Sequence, residues 1–187
     1  SVHDFGKSII PPALEKLQVF AYPFQDVRTR AQNYWRDVGS VDAFYEANLE
    51  LVHVSPELNI YDEVWPIWSH PGQRPPAKFV LDEDGRRGMA VNSMVSAGSI
   101  ISGAHVSLSL LFSSVRIDER SHVERAVVLP DVHIGKDCVI HRAILDEGCD
   151  IPDGTRIGLD PQADAKRFYV SEKGIVLVTP DMLREGE

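Results

Sequence analysis

Val123-Glu124-Arg125-Ala126-Val127-Val128-Leu129-Pro130-Asp131-Val132-His133-Ile134-Gly135-Lys136-Asp137-Cys138-Val139-Ile140 lies in the middle of a longer run, 101–157, whose spacing decides the fold. Along that run a large apolar residue returns every five or six positions: Ile101, Val106, Phe112, Ile117, Val123, Val128, Ile134, Ile140, Leu145, Ile151 and Ile157. An α-helix repeats every 3.6 residues and a strand every 2, so neither sustains this spacing. Two places earlier the residue is usually small: Ser99, Ala104, Ser121, Ala126, Cys138, Ala143, Cys149 and Thr155. Such hexads belong to a parallel β-helix, each a short strand plus a corner, with three closing one triangular coil. The eleven anchors predict between three and four coils, with the large residues stacked inside. A solenoid fixes architecture and leaves the chemistry to the flanking segments.

Upstream, residues 8–17 carry Ile9, Ile10, Ala13, Leu14 and Leu17 behind Pro11 and Pro12, the pattern of a short helix begun by proline. Val19-Phe20-Ala21-Tyr22-Pro23-Phe24 reads as a strand that Pro23 confines to an edge, and 26–32 as a polar loop. Ser40 is a good N-cap for an amphipathic helix through Val41, Phe44, Tyr45, Asn48, Leu49 and Val52. Five prolines between 56 and 76, with Tyr61, Trp65 and Trp68 among them, predict an ordered linker whose aromatics pack on a neighbouring surface. Residues 78–81 read as a strand, 82–85 as a turn, and the repeat is expected from Ala90. After Ile157 the hexads stop, and strand-like Ile175-Val176-Leu177-Val178-Thr179 is placed to cover the last coil.

A charge of −9 over 187 residues argues against a nucleic-acid surface, which is normally basic. Cys138 and Cys149 are 11 residues apart, in two small-residue slots, and read as buried thiols in a reducing cytoplasm. No apolar run approaches a membrane span or a signal peptide. The opening Ser1-Val2-His3-Asp4-Phe5-Gly6-Lys7 has the character of a domain interior, so the chain reads as the later part of something longer. Glycine-rich phosphate loops, G-x-S-x-G and H-E-x-x-H are all missing from it.

The chemistry points to Trp35-Arg36-Asp37-Val38-Gly39-Ser40. A carboxylate on the loop before a helix N-terminus suits a hard divalent cation that also bridges phosphate oxygens. Gly39 would permit close backbone approach or a positive φ. Asp4-Phe5-Gly6-Lys7 similarly gathers a carboxylate, an aromatic ring and a cation. Histidines 105, 122, 133 and 141 lie in the repeat, and hexad acyltransferases use such a histidine as general base, which leaves that class as a rival reading. A non-catalytic assembly or regulatory module is a second.

Several blocks resemble the bacterial ADP-glucose pyrophosphorylases, the glucose-1-phosphate adenylyltransferases. They are Tyr34-Trp35-Arg36-Asp37-Val38-Gly39, Pro56-Glu57-Leu58-Asn59-Ile60-Tyr61-Asp62, Trp65-Pro66-Ile67, Pro75-Pro76-Ala77-Lys78-Phe79-Val80 and Asn92-Ser93-Met94-Val95-Ser96, then Lys166-Arg167-Phe168-Tyr169 with Gly174-Ile175-Val176-Leu177-Val178-Thr179. Other sugar-nucleotide transferases share the hexads but not the 75–80 block or the blocks within 167–179. The resemblance implies a mixed α/β chain: the tail of a Rossmann-like nucleotidyltransferase domain (1–55), a linker (56–89) and a left-handed parallel β-helix with a C-terminal cap (90–187). It also implies a cytoplasmic, homotetrameric enzyme of glycogen synthesis. That enzyme joins ATP and glucose 1-phosphate into ADP-glucose and pyrophosphate with Mg²⁺, under control of a metabolite effector. Residue by residue, Asp4, Phe5 and Trp35 resemble the family's glucose 1-phosphate pocket, and Asp37 one of two carboxylates that hold the catalytic metal. The second carboxylate and the nucleotide loop have no counterpart here, so the segment by itself is expected to be inactive. Arg184, with Lys173 and Arg167, resembles the effector site, while Pro180 and Glu147 stand where some relatives carry arginines.

Overall fold

The computed structural model describes residues 3–25, 30–64, 66–67, 72–83 and 85–184. Trp65, Trp68 and parts of the predicted 26–32 loop and 82–85 turn lie outside the described residues. The chain divides into two compact units, 1–35 and 36–187.

In the first unit Asp4 accepts a hydrogen bond from the Lys7 backbone N–H at 2.7 Å and caps a π-helical turn, Phe5–Ile9. The chain continues directly into α1, Ile10–Lys16, with its prolines in the first turn as the sequence required. The strand expected over 19–24 does not form. Just after it, Gln25 and Gln32 form an isolated antiparallel bridge. A strand exists only with a hydrogen-bonding neighbour, and among the described residues no ladder runs along 19–24 beyond the Asn33 N–H donated to Phe24 O at 3.2 Å; Phe20 and Tyr22 are more than four-fifths exposed.

The second unit is a three-faced solenoid of parallel strands. Lys78–Val80, Ile100–Ser102, Arg116–Ile117, His133–Ile134 and Asp150–Ile151 make the first face. Met89–Val91, His105–Ser107, His122–Glu124, Val139–His141 and Arg156–Ile157 make the second. Met94–Val95, Leu110–Leu111, Val127–Val128, Ala143–Leu145 and Val176–Val178 make the third, extended by antiparallel Tyr169–Val170. Register partners recur 16 or 17 residues apart, Ile101 on Ile117 and Val123 on Ile140, so each coil is three short hexads.

The aliphatic column is inside as expected, with one exchange. Leu111, wholly buried and paired with Val128, takes the inner place expected for Phe112. Successive strand residues point to opposite faces, so Phe112 turns outward and packs beside Val127, Ile144 and Tyr45. Buried serines stitch the coils together: Ser121 Oγ donates to Gly135 O at 2.6 Å and accepts from Cys138 N at 2.9 Å. Burial pushes both cysteine thiols up in pKa, Cys149 to about 11 with help from Asp146, so both stay protonated. The solenoid also begins earlier than Ala90: Lys78–Val80 pairs with Ile100–Ser102, and Asp82–Glu83 with Arg86–Arg87 forms a hairpin between. The strand read over 78–81 is thus part of the solenoid, and its 22-residue offset from Ile100–Ser102 falls outside the hexad spacing.

Corners are built from residues with positive φ, mostly not glycine: Leu108, Ser114, Arg120, Arg125, Asp131, Asp137 and Arg142. This backbone costs on the order of 1 kcal/mol each for a side-chain-bearing residue. Cross-coil N–H bonds offset it, such as Arg125 N to Ser107 O at 3.1 Å and Asp137 N to Glu119 O at 3.1 Å. Arg120 adds a two-pronged ion pair with Asp137 on the next coil, both contacts at 2.7 Å. At the end of the solenoid α3 (Pro161–Asp164) is capped by Asp160, and Val176–Val178 covers the last coil. The final α4, Pro180–Arg184, lays Met182 and Leu183 against the core.

Ser40 caps α2, Val41–Glu50, through a 3.2 Å bond from Ala43 N to its Oγ. This helix packs on the outside of the third face, where Tyr45 is buried among Val127, Ile144 and Ile175. Tyr45 Oη donates to Arg125 O at 2.6 Å, Ser171 bonds Asp42, and Lys173 pairs with Glu46. Tyr61 in the linker is about three-quarters exposed, so it does not pack on a neighbouring surface of the chain as the sequence suggested. The polar Asn59 and Asp62 side chains turn that segment locally, taking bonds from Tyr61 N and Val64 N.

Ile134 has no exposed surface and touches coils on both sides. Ile134→Ala is expected to lower stability by about 2–5 kcal/mol in equilibrium urea unfolding. On the first face His133 lies between Asp150 Oδ1 (2.7 Å from Nδ1) and Asp118 Oδ2 (3.0 Å from Nε2), with Arg116 also on Asp118. Burial alone would lower the His133 pKa, but hydrogen bonds to Asp118 and Asp150 outweigh it and hold the pKa above its ordinary value. A raised folded pKa gives stability that is full below the unfolded value of about 6.5 and is lost as pH rises through the folded value. The destabilisation by His133→Gln is therefore expected to be larger near pH 5 than near pH 9 in paired thermal melts.

Candidate functional site

The loop before α2 is organised by its own side chains. Asp37 Oδ1 accepts the Gly39 N–H at 2.9 Å, folding the carboxylate back over the chain. Gly39 has no positive φ; its service is close approach, since a Cβ there would sit 3.1 Å from Asp37 Oδ1. Arg36 reaches across to Glu50 at the end of α2, 3.3 Å, and to Glu57. These carboxylates raise the Arg36 pKa, the Glu57 hydrogen bond most of all, and the exposed fork ties both ends of the helix region together. Asp37 therefore stands exposed on a loop braced by Arg36 on one side and capped by Ser40 on the other.

Asp4, Phe5 and Trp35 lie in the first unit and Asp37 in the second. Asp4 is engaged as the cap of the π-helical turn, and Phe5 and Trp35 are about two-thirds or more exposed. Among the described residues no three His, Cys, Asp or Glu side chains gather around a point that would hold a metal by themselves.

The three basic residues singled out near the C-terminus have different surroundings. Arg184 pairs with Asp181 at 3.2 Å and lines a hollow of about 310 Å³ with Gly148, Asp150, Pro152, Pro180 and Leu183. Lys173 is tied to Glu46 on α2, which raises its pKa. The Arg167 guanidinium lies 4.7 Å from the centroid of the Phe168 ring. Of the repeat histidines, His105 and His122 meet edge to face at 5.9 Å and His141 Nδ1 faces Gly158 O at 3.4 Å.

Missed by sequence reasoning was a second hollow, of about 270 Å³, where the last turn of α2 meets a solenoid corner at Arg125 and Arg142. The two arginines are 17 positions apart, the length of one coil, so the signal was there in the repeat. No helix among the described residues is long and apolar enough to cross a membrane.

Residues 75–178 match a family model described as GlmU-like, C-terminal hexapeptide, and residues 1–53 one described as nucleotidyl transferase. The chain is 60% identical, over 98% of its length, to a glucose-1-phosphate adenylyltransferase of Nitrosococcus oceani, covering 44% of that protein. It is 59% identical to that of Methylococcus capsulatus and 58% identical to glucose-1-phosphate adenylyltransferase 2 of Alkalilimnicola ehrlichii, in each case covering 98% of this chain and 43% of the relative. The chain thus spans less than half the length of the curated relatives it matches. With a hexapeptide solenoid behind a nucleotidyl-transferase segment, the chain belongs to the GlmU-like C-terminal hexapeptide family and is homologous to the C-terminal part of the glucose-1-phosphate adenylyltransferases.

Proposed function

We propose that this chain is the C-terminal part of a glucose-1-phosphate adenylyltransferase, which forms ADP-glucose and pyrophosphate from ATP and glucose 1-phosphate for glycogen synthesis in the cytoplasm. The observation that carries this is identity of 58–60% to such enzymes along 98% of the chain. Transfer of an adenylyl group needs the sugar-phosphate oxygen aligned with the α-phosphorus of ATP and the growing negative charge neutralised. Asp37 would supply one carboxylate to hold Mg²⁺, which when bound would neutralise phosphate charge. The braced loop, with Arg36 on Glu50 and Glu57, fixes where that carboxylate stands. Asp4, Phe5 and Trp35 contribute to the glucose 1-phosphate pocket, and the exposed apolar side chains of the first unit, Phe5, Phe20 and Tyr22 among them, pack on the rest of the nucleotidyltransferase domain.

The solenoid, in this reading, assembles a homotetramer and carries an effector site to which Arg184, Lys173 and Arg167 contribute. Arg184 is open to such a ligand, because its ion pair with Asp181 is highly exposed and weak.

In the whole enzyme, Asp37→Asn is expected to lower kcat by on the order of a hundredfold or more, equivalent to about 3 kcal/mol, with the melting temperature unchanged. An unchanged kcat would remove Asp37 from the site. The 187-residue chain with ATP, glucose 1-phosphate and Mg²⁺ should release no pyrophosphate, and steady turnover by it would overturn the need for further catalytic groups. Arg184→Ala should raise the activator concentration required for half-maximal effect while leaving the unactivated rate as it was.

A further inference from the structure

The second face of the solenoid carries a column of outward side chains, one from each coil. Met89, His105 and His122 pair in register along it, while the residues that follow them, Ala90, Val106 and Val123, pack into the core. Each of the three backbones is held by the next coil. Met89 N donates to Ala104 O at 2.9 Å, His105 N to Ser121 O at 2.9 Å and His122 N to Cys138 O at 2.8 Å. The two imidazoles are thus rooted on neighbouring strands, about 4.8 Å apart. Their rings meet edge to face, with centroids 5.9 Å apart and planes at 78°. Both line a hollow of about 240 Å³, together with Met89 and Ser121.

These rings differ from the other histidines of the repeat in what they touch. His133 uses both nitrogens on Asp118 and Asp150, and His141 Nδ1 faces the Gly158 carbonyl. Among the described residues, no hydrogen bond or ion pair engages a ring nitrogen of His105 or His122. Arg87 and Arg120 also line the hollow, but carboxylates hold both. Arg87 pairs with Asp82, and Arg120 with both oxygens of Asp137 at 2.7 Å, with Glu119 at 3.5 Å. The positive charge beside the rings is therefore compensated locally, and the net charge of −9 on the chain favours the approach of a cation.

We infer that His105 and His122 together bind a late first-row divalent metal ion, of the class of Zn²⁺, and so clamp one coil to the next. Imidazole is a favoured donor for such ions, whereas Mg²⁺ prefers carboxylate, carbonyl and water oxygens. With metal–nitrogen bonds of about 2.0–2.1 Å, two imidazoles on one ion stand with ring centres about 5–6 Å apart. The pair already has that spacing, so side-chain rotation alone aims a nitrogen of each ring at a common point. Two protein donors leave the remaining positions of a tetrahedral ion to water. A hollow of about 240 Å³ has room for those waters, each of which takes about 30 Å³ in the liquid. Met89, next in the column, places a thioether-bearing residue beside the pair, a donor type that adds preference for softer ions. The site rests on local geometry and not on the adenylyltransferase reading, so either can fail without the other.

The test is titration of the full chain with Zn²⁺ in excess Mg²⁺, followed by calorimetry and by the imidazole NMR signals. One saturable site is expected that moves the His105 and His122 signals together and raises the melting temperature, as a ligand selective for the folded state must. Loss of a ligand costs at least as much as loss of its outer hydrogen-bond partner, so His105→Gln and His122→Gln should each weaken binding about tenfold or more. His53→Gln should leave it unchanged. Melting curves without metal accompany the variants, and the more exposed His122 carries the test alone if His105→Gln does not fold. The proposal is overturned by no saturable binding below about 1 mM, by displacement of Zn²⁺ by Mg²⁺, or by Zn²⁺ bound at full affinity in the His122→Gln variant.

Discussion

Everything in the second unit depends on one repeated contact: an aliphatic side chain resting on its equivalent one coil away. Ile101 on Ile117, Val123 on Ile140 and Val128 on Leu145 are sealed from solvent, and the parallel ladder runs alongside them. Neither contribution suffices alone. Two-residue strands have too few hydrogen bonds to persist in water, and an aliphatic column without a ladder has no fixed register. Together they force every position to superpose on the position about 17 residues later, which is why corner conformations, buried serines and surface ion pairs all recur at that interval.

The same superposition explains how α2 is attached. Inward residues of the third face alternate with outward ones, so burying Val128, Leu145 and Val178 presents Val127, Ile144 and Leu177 as an apolar stripe outside. An exposed stripe of this kind needs a cover, and α2 supplies it with Tyr45, Phe44 and Leu49. Polar contacts then fix its position: Tyr45 to the Arg125 carbonyl, Asp42 to Ser171 and Glu46 to Lys173. The helix that carries the Asp37 loop is thereby part of the solenoid's own packing.

How much of this could be read from the sequence follows the range of each interaction. Hexad spacing is local, and it located the column and the small-residue slots that Ser121, Ala126, Cys138 and Cys149 fill. It misassigned Phe112 because two large residues, Leu111 and Phe112, compete for one inward place, and only the pairing of Leu111 with Val128 decides between them. The strand at Lys78 was legible as a strand, but its place in the solenoid was not, because that rests on its pairing with Ile100–Ser102. For the site, residue chemistry singled out Asp37 and the Ser40 cap, and the family resemblance gave the reaction. The bracing of Arg36 by Glu50 and Glu57 spans 14 and 21 residues with no periodicity to betray it. The Arg125–Arg142 hollow needed both the coil length and the docking of α2, a contact no local pattern encodes.

At its N-terminus α2 is capped by Ser40, three residues beyond Asp37; at its C-terminus Glu50 holds Arg36, next to that same aspartate. The helix has ten residues, about 15 Å, and its buried face is locked to the solenoid by Tyr45. A rotation of α2 about its axis would break the Tyr45–Arg125 bond and disturb the Arg36 brace together. The hollow beside Leu49 and Val52 lies at the end of α2 where Glu50 holds that brace. The link is mechanical and short: one helix, one phenol and one guanidinium fork.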